Sequence, residues 1–218
     1  MADNINVTPG SGATVSTKEV TTLNGVGVSA QQVQRTIASL STGGAAAVDI
    51  SSTNPLPVIQ IGGYTSAVSL TRTADTNVYA ANDIIGAATG STAAIEFTNV
   101  GSSGANIFVS GVELMIESSG LIGGETSYRL HLYSVTPPSA LGDNAAFDLP
   151  SGDRSAYLGY VDITTPVDLG STLYASVDNL NKMVKLSGTS LFGYLTTIGG
   201  YTPTSARVYK TTLHTVVI

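Results

Sequence analysis

His131 and His214 are the only imidazoles in a chain of 218 residues that contains no cysteine. A hydrolytic triad would need a serine and an aspartate beside one of them. His131 lies in an alternating stretch, and His214 lies near the end of another. Both read as ordinary strand residues. Two histidines in no HExxH spacing cannot build a histidine-rich zinc site, and the absence of cysteine excludes a thiolate one. Gly142-Asp143-Asn144, Asp148 and Asp153 gather oxygen ligands of the kind calcium prefers. Their spacing does not match an EF-hand, and the competing reading is a solvated loop of Asx turns. Glu113 and Glu117, on one face of a strand, would stand about 13 Å apart at roughly 3.3 Å per residue. Paired glycosidase carboxylates need about 5–9.5 Å. Gly10-Ser11-Gly12 and Gly101-Ser102-Ser103-Gly104 lack the following Lys-Ser/Thr and helix of a phosphate loop. No catalytic residue, cofactor site or metal site is assigned, and an enzyme is not expected.

Composition narrows the class. Only 11% of residues are charged, against about 25% in ordinary soluble domains. The surface must therefore be largely Ser, Thr, Asn and Gly, which costs little to desolvate and suits packing against other subunits. A net charge of −6 offers no basic face for nucleic acid. No apolar run approaches the roughly 18 residues of a membrane span. The opening Met1-Ala2-Asp3-Asn4-Ile5 lacks the basic and apolar regions of a secretory signal. Neither nucleic acid nor membrane is expected as a partner.

The elements that would carry these residues are strands. Val68 and Leu70 alternate with Ser69 and Thr71, and Ile84-Ile85 ends a run from Val78. Ile95 and Phe97 start another. Ile107–Val109 leads through Gly111, an expected bulge, into Val112, Leu114 and Ile116. Tyr128, Leu130 and Leu132 alternate with Arg129, His131 and Tyr133. Tyr157, Val161 and Ile163 follow, then Leu173, Ala175 and Val177. Val184–Leu186, Leu191–Ile198 and 207–217 complete roughly eight to ten strands separated by Gly, Pro, Asn and Asp. Period-two patterning with one buried face predicts an antiparallel sandwich, and eight strands in about 150 residues suit a jelly roll. Leu114, Ile116, Leu130, Leu132, Leu173, Val177, Leu195 and Val208 are the expected inward residues.

The first part of the chain differs. Residues 1–28 are rich in Gly, Thr, Val and Asn and cannot bury enough apolar surface to fold alone. In residues 31–40, Val33, Ile37 and Leu40 fit a helical face after Ser29, whereas Val33, Arg35 and Ile37 fit an extended strand; the extended reading is preferred. Ser41–Ala47 is a small-residue linker, and the prolines hold Asn54–Val58 extended. Gly62-Gly63 marks a break. The chain thus divides into an extended N-terminal arm and linker, 1–64, and an all-β antiparallel jelly-roll sandwich, 65–218. The arm's apolar residues Ile5, Val7, Pro9, Val15, Val20, Val26 and Val28 are the candidate partner-binding positions.

Three stretches carry a family resemblance. Ala2–Val15, ADNINVTPGSGATV, is similar to the opening of many tailed-bacteriophage virion proteins, with Glu19, Gly25-Val26 and Asn54–Val58 filling its later places. Thr71–Gly86 resembles a stretch recurring in phage particle proteins, where Pro is common in place of Thr73 and Gly in place of Asn82. Arg129–Tyr133, Asp143–Pro150 and Leu173–Thr211 form the third. The resemblance implies a virion structural protein of the capsid decoration (cement) or head-fibre type, located on the capsid surface and made in the host cytoplasm. It implies a major capsid protein or other virion protein as partner. It also favours a homo-oligomer, a trimer ahead of a dimer. A head-fibre or tail-associated module that recognises a host glycan is the alternative, with Tyr194 and Tyr201 beside Thr202 as its aromatic platform.

Overall fold

The computed structural model describes residues 19–23, 26–32, 62–87 and 92–218. Two compact units divide the chain, 1–59 and 60–218.

In the first unit, β1 (Glu19–Leu23) pairs antiparallel with β2 (Val26–Gln32). Leu23 is opposite Val26, so only Asn24 and Gly25 intervene, the sequence that two-residue hairpin connections prefer. These two strands agree with an extended N-terminal arm and add to it a local hairpin. Asn24-Gly25 between two Thr- and Val-rich runs is the local sequence signal for this hairpin. A lone two-stranded hairpin is still only marginally stable in water. Of the preferred extended reading of 31–40, Gln31 and Gln32 lie in β2, and 33–40 lies outside the described residues.

The second unit is an all-β antiparallel sandwich of two five-stranded sheets. Its strands are β3 (Gly63–Thr71), β4 (Ile84–Ile85), β5 (Ile95–Phe97), β6 (Asn106–Glu117), β7 (Tyr128–Tyr133), β8 (Tyr157–Ile163), β9 (Val167–Asp168), β10 (Thr172–Lys185), β11 (Leu191–Thr197) and β12 (Val208–Val217). The pairing follows a simple rule. The first strand, β3, pairs with the last, β12. The second, an interrupted β4 and β5, pairs with the penultimate β11. β6 pairs with β10, and β7 with β8. A four-pair ribbon folded in this way and closed by β12·β6 and β11·β7 is a jelly roll. β9 adds a short edge beyond β10. The body's first strand begins at Gly63, which pairs with Val216, so Gly62-Gly63 leads directly into the sheet and makes no break.

The core lies between the sheets. It holds Leu114, Ile116, Leu130, Leu132, Leu173 and Leu195, all fully shielded, with Val177 packed at its margin. In β6 the apolar phase changes from Ile107 and Val109 to Val112, Leu114 and Ile116. The extra residue falls at Ser110-Gly111, where β12 steps from Thr215 opposite Val109 to His214 opposite Gly111. The expected bulge is therefore present, and it keeps both halves of the strand pointing inward. Val208 is corrected: it faces outward beside Met115 and Lys210, while Tyr209, Leu213 and Val217 enter the core. A one-residue error in phase moves every side chain to the other face.

β7 and β11 are buried on both faces. Ile84, Ala93, Tyr133, Ala156 and Tyr194 form a second apolar cluster on the outer side of that sheet. The long β7–β8 connection covers it with Leu141, Phe147 and Leu149. Backbone bonds from Ala93 N to Leu141 O (2.7 Å) and from Phe147 N to Asn82 O (2.9 Å) fasten the cover.

Candidate functional site

Antiparallel alternation sends the connections β3–β4, β6–β7, β8–β10 and β11–β12 to one end of the sandwich. Contacts confirm it: Tyr79 N donates to Tyr201 O at 2.9 Å, and Ser118 N to Ser171 O at 3.3 Å. Beneath this end lie two polar networks. In the first, Arg72, whose side chain is fully shielded, donates through Nη2 to Asp75 at 2.7 Å and through Nε to the Tyr79 hydroxyl at 3.1 Å. Tyr79 in turn donates to Asp143 Oδ1 at 2.5 Å, and Gly86 N donates to the same oxygen at 2.8 Å. Burial, and then the neighbouring Asp143, raises the Tyr79 pKa, so the phenol stays a donor. In the second network, Arg207 Nη1 donates to Glu125 Oε1 at 2.9 Å with both side chains shielded. Tyr128 donates to the same carboxylate, and the Tyr201 and Tyr209 hydroxyls meet at 2.9 Å. Burial raises Tyr128 and Tyr201 as well. These groups tie the loops of this end together from within.

The Asp-rich loop is part of the first network. Asp143 is buried, and Asp153 is buried and accepts from Ser139 N (3.2 Å) and Oγ (3.0 Å). The solvated-loop reading is corrected for Asp143 and Asp153, which are buried and accept from internal donors, while Asp148 is exposed as that reading expects. Among the described residues no three His, Asp or Glu side chains converge on a cation position. Asn82 and Asn144 take φ values of 67° and 61°, the left-handed region that Asn tolerates.

Neither histidine stands alone. His131 is buried, stacks on Phe147 at 3.6 Å between centroids, and shares a 3.0 Å hydrogen bond through Nδ1 with the Tyr157 hydroxyl. Burial, with a smaller contribution from Arg129, lowers its pKa to about 4. His214 lies on the outer face of the β3 sheet. Its Nδ1 is 3.2 Å from Thr65 Oγ1 and its Nε2 is 3.6 Å from Glu113 Oε1, which Tyr174 also approaches at 3.4 Å. Strand register, not sequence proximity, assembles this hydroxyl–imidazole–carboxylate row: His214 is opposite both Thr65 and Gly111. Sequence reasoning missed it because residues 65, 113 and 214 are remote along the chain. Nδ1 is within hydrogen-bond distance of Thr65 Oγ1, while Glu113 stands 3.6 Å from Nε2, beyond a hydrogen bond, so the row places three polar groups of three strands side by side. Glu117 lies on the same face, farther along β6.

The aromatic platform proposed for a glycan is corrected. Tyr194 is fully buried, and its hydroxyl donates to Ser139 O at 2.9 Å; Tyr201 lies within the core. Of the candidate partner-binding residues, Val20 lies in β1, and Val26 and Val28 lie in β2. Ile5, Val7, Pro9 and Val15 lie outside the described residues. Apolar side chains are instead exposed at the loop end: Val78, Leu121, Val167 and Leu169, the last two about two-thirds exposed at 64% and 65%. Asp168 is the single charge in 164–171, and 118–124 carries none.

No protein-family model matches the chain, and no curated protein matches it. Among solved structures it is similar to a chain of the Israeli acute paralysis virus particle, with 12% identity, a TM-score of 0.26, and coverage of 98% of this chain and 97% of that one. A chain of the Kashmir bee virus virion gives 13% identity, a TM-score of 0.26, and coverage of 98% and 95%. The xylanase 10B CBM22-1–GH10 modules of Clostridium thermocellum give 10% identity, a TM-score of 0.25, and coverage of 69% and 26%. Each is a low-scoring likeness of fold alone.

Proposed function

We propose that this chain is a non-enzymatic structural component of a virus particle, and most concretely a decoration (cement) protein on the capsid exterior of a tailed bacteriophage. The observation that carries the reading is the jelly-roll pairing order of residues 63–217 combined with a sequence only 11% charged. Jelly rolls serve capsids and lectins, and an uncharged surface is cheap to desolvate between subunits. The stretches 2–15, 71–86, 129–133, 143–150 and 173–211, which resemble tailed-phage virion proteins, support the same class. In this reading the body's loop end, with Val78, Leu121, Val167 and Leu169, packs on other virion subunits. The N-terminal segment anchors the body to neighbouring shell proteins. The action is mechanical: area buried across capsomer boundaries resists expansion of the shell.

The glycan-binding alternative has lost its aromatic platform to the core. Quantitative mass spectrometry of purified particles tests the proposal. A decoration protein should be present in hundreds of copies and a fibre in tens, on the order expected from shell symmetry. Absence from particles defeats both readings.

A further inference from the structure

The four lateral edges of the sandwich are not alike. β9 has two residues and carries Asp168. β4 and β5 have two and three residues and are interrupted. β8 contains a register shift opposite Leu132/Tyr133, with Gly159 at φ 94°, and bears Asp162. Short length, bulges and charges are the devices that keep sheet edges from pairing with other chains. β3 has none of them. It runs nine residues, GYTSAVSLT, without charge, proline or bulge, in unbroken register from Gly63 to Thr71 against β12. Among the described residues its backbone bonds only β12 within that span.

We propose that the edge of β3 left open among the described residues is a homodimer interface, in which β3 of a second copy pairs antiparallel about a two-fold axis at Ala67. The strand is self-complementary in that register. Gly63 is opposite Thr71, Thr65 opposite Ser69, and Ala67 opposite itself on the solvent face; Tyr64 is opposite Leu70 and Ser66 opposite Val68 on the core face. No like charges meet. Tyr64 and Val68, half-buried at the margin of the core, gain cover from the second copy. The two β3 sheets join into one ten-stranded sheet. A two-fold contact of this kind uses the same patch on both subunits. It does not depend on the virion reading, and it takes the two-fold dimer, the alternative to the trimer favoured from sequence, as the first contact between bodies.

Sedimentation of the full chain tests it, since each chain has a mass of 22.2 kDa. A dimer is expected at micromolar concentration. The chain has no cysteine, so Ala67→Cys introduces a single thiol that should cross-link two copies under mild oxidation, because residue 67 faces itself. Thr65→Lys with Ser69→Lys places like charges opposite each other and should weaken the dimer about tenfold or more. Thr65→Lys with Ser69→Glu should restore it. Unchanged circular dichroism in the lysine pair keeps a folding defect from imitating the result. A monomeric wild-type chain overturns the proposal. So does a dimer that ignores the lysine pair, or one in which Ala67→Cys fails to cross-link.

Discussion

Arg207 and Glu125 form an ion pair at 2.9 Å in which neither side chain reaches solvent. The pair joins the β6–β7 connection to the start of β12, so two loops that are remote in sequence share one buried charge couple. Arg207 Nε and Nη2 have no hydrogen-bond partner, so the couple is incompletely satisfied. Removing one member strands the other charge. Glu125→Ala should cost about 3–5 kcal/mol in urea unfolding. Glu125→Leu with Arg207→Met should cost less than the single change, because no charge is then left buried. A double variant as unstable as the single one would show that Tyr128 and Tyr201, not charge, dominate the cost.

His131 makes stability depend on acid. Its folded pKa, lowered to about 4 by burial, lies below the ordinary 6.5. Below pH 6.5 the unfolded chain takes up a proton that the folded chain refuses. Stability therefore falls as pH drops from 6.5 towards 4, by on the order of 3 kcal/mol at most, and is flat above 6.5 for this group. His131→Phe keeps the stack on Phe147 and removes the titration. The difference between wild-type and variant unfolding free energies, measured from pH 7 to pH 4, should grow as pH falls. A constant difference would place His131 in solvent.

Leu132 and Val208 separate the correct register from the expected one. Leu132 is fully shielded between the sheets, so Leu132→Ala should cost about 2–5 kcal/mol. Val208 lies on the outer face beside Lys210, and Val208→Ala should stay within about 1 kcal/mol. Chemical denaturation of both variants decides the phase of β12. A large cost at Val208 would turn the strand over.

The jelly roll was legible because alternation survives wherever one sheet face meets the core and the other meets water. It failed at β12, where Val208-Tyr209 and Val216-Val217 offer apolar residues in both phases. It also failed at β7 and β11. There the β7–β8 connection buries a second face, and His131 and Tyr133 read as solvent residues until that cover is known. The links that close the networks of Arg72 and Arg207 and the row through His214, namely Tyr79 to Asp143, Arg207 to Glu125 and Thr65 to His214, join residues more than sixty positions apart. Local spacing holds no trace of such contacts; only the strand order brings them together. The Asn24-Gly25 hairpin is the opposite case, a local signal present in the sequence.

Gly124 tests the loop end from the backbone. Its φ is 90°, and a methyl group there would stand 2.3 Å from Gly200 O. Two connections therefore touch through bare backbone. Gly124→Ala should destabilise the fold by more than about 1 kcal/mol, since the residue is disfavoured at that φ and collides besides. Gly123→Ala, with open space at its Cβ, is the control. Equal thermal midpoints for the two variants would remove the close approach.

The N-terminal segment should behave differently on and off the particle. Its β1–β2 hairpin has only two strands, and isolated hairpins are marginal in water. Residues 1–28 remain too poor in large apolar side chains to form a core of their own. In the isolated full chain, trypsin should cut at Lys18 and Arg35 ahead of the jelly-roll body, where Arg72 and Arg207 are buried, Lys182, Lys185 and Lys210 lie in paired strands, and Arg154 alone is exposed in a turn. On intact particles the same two sites should be protected, because pairing of strands with a partner sheet or packing against it excludes the protease. Timed digestion followed by mass spectrometry of both samples reads the difference. Equal cleavage rates in the two states would defeat the anchoring role and leave attachment to the exposed aliphatics of the loop end.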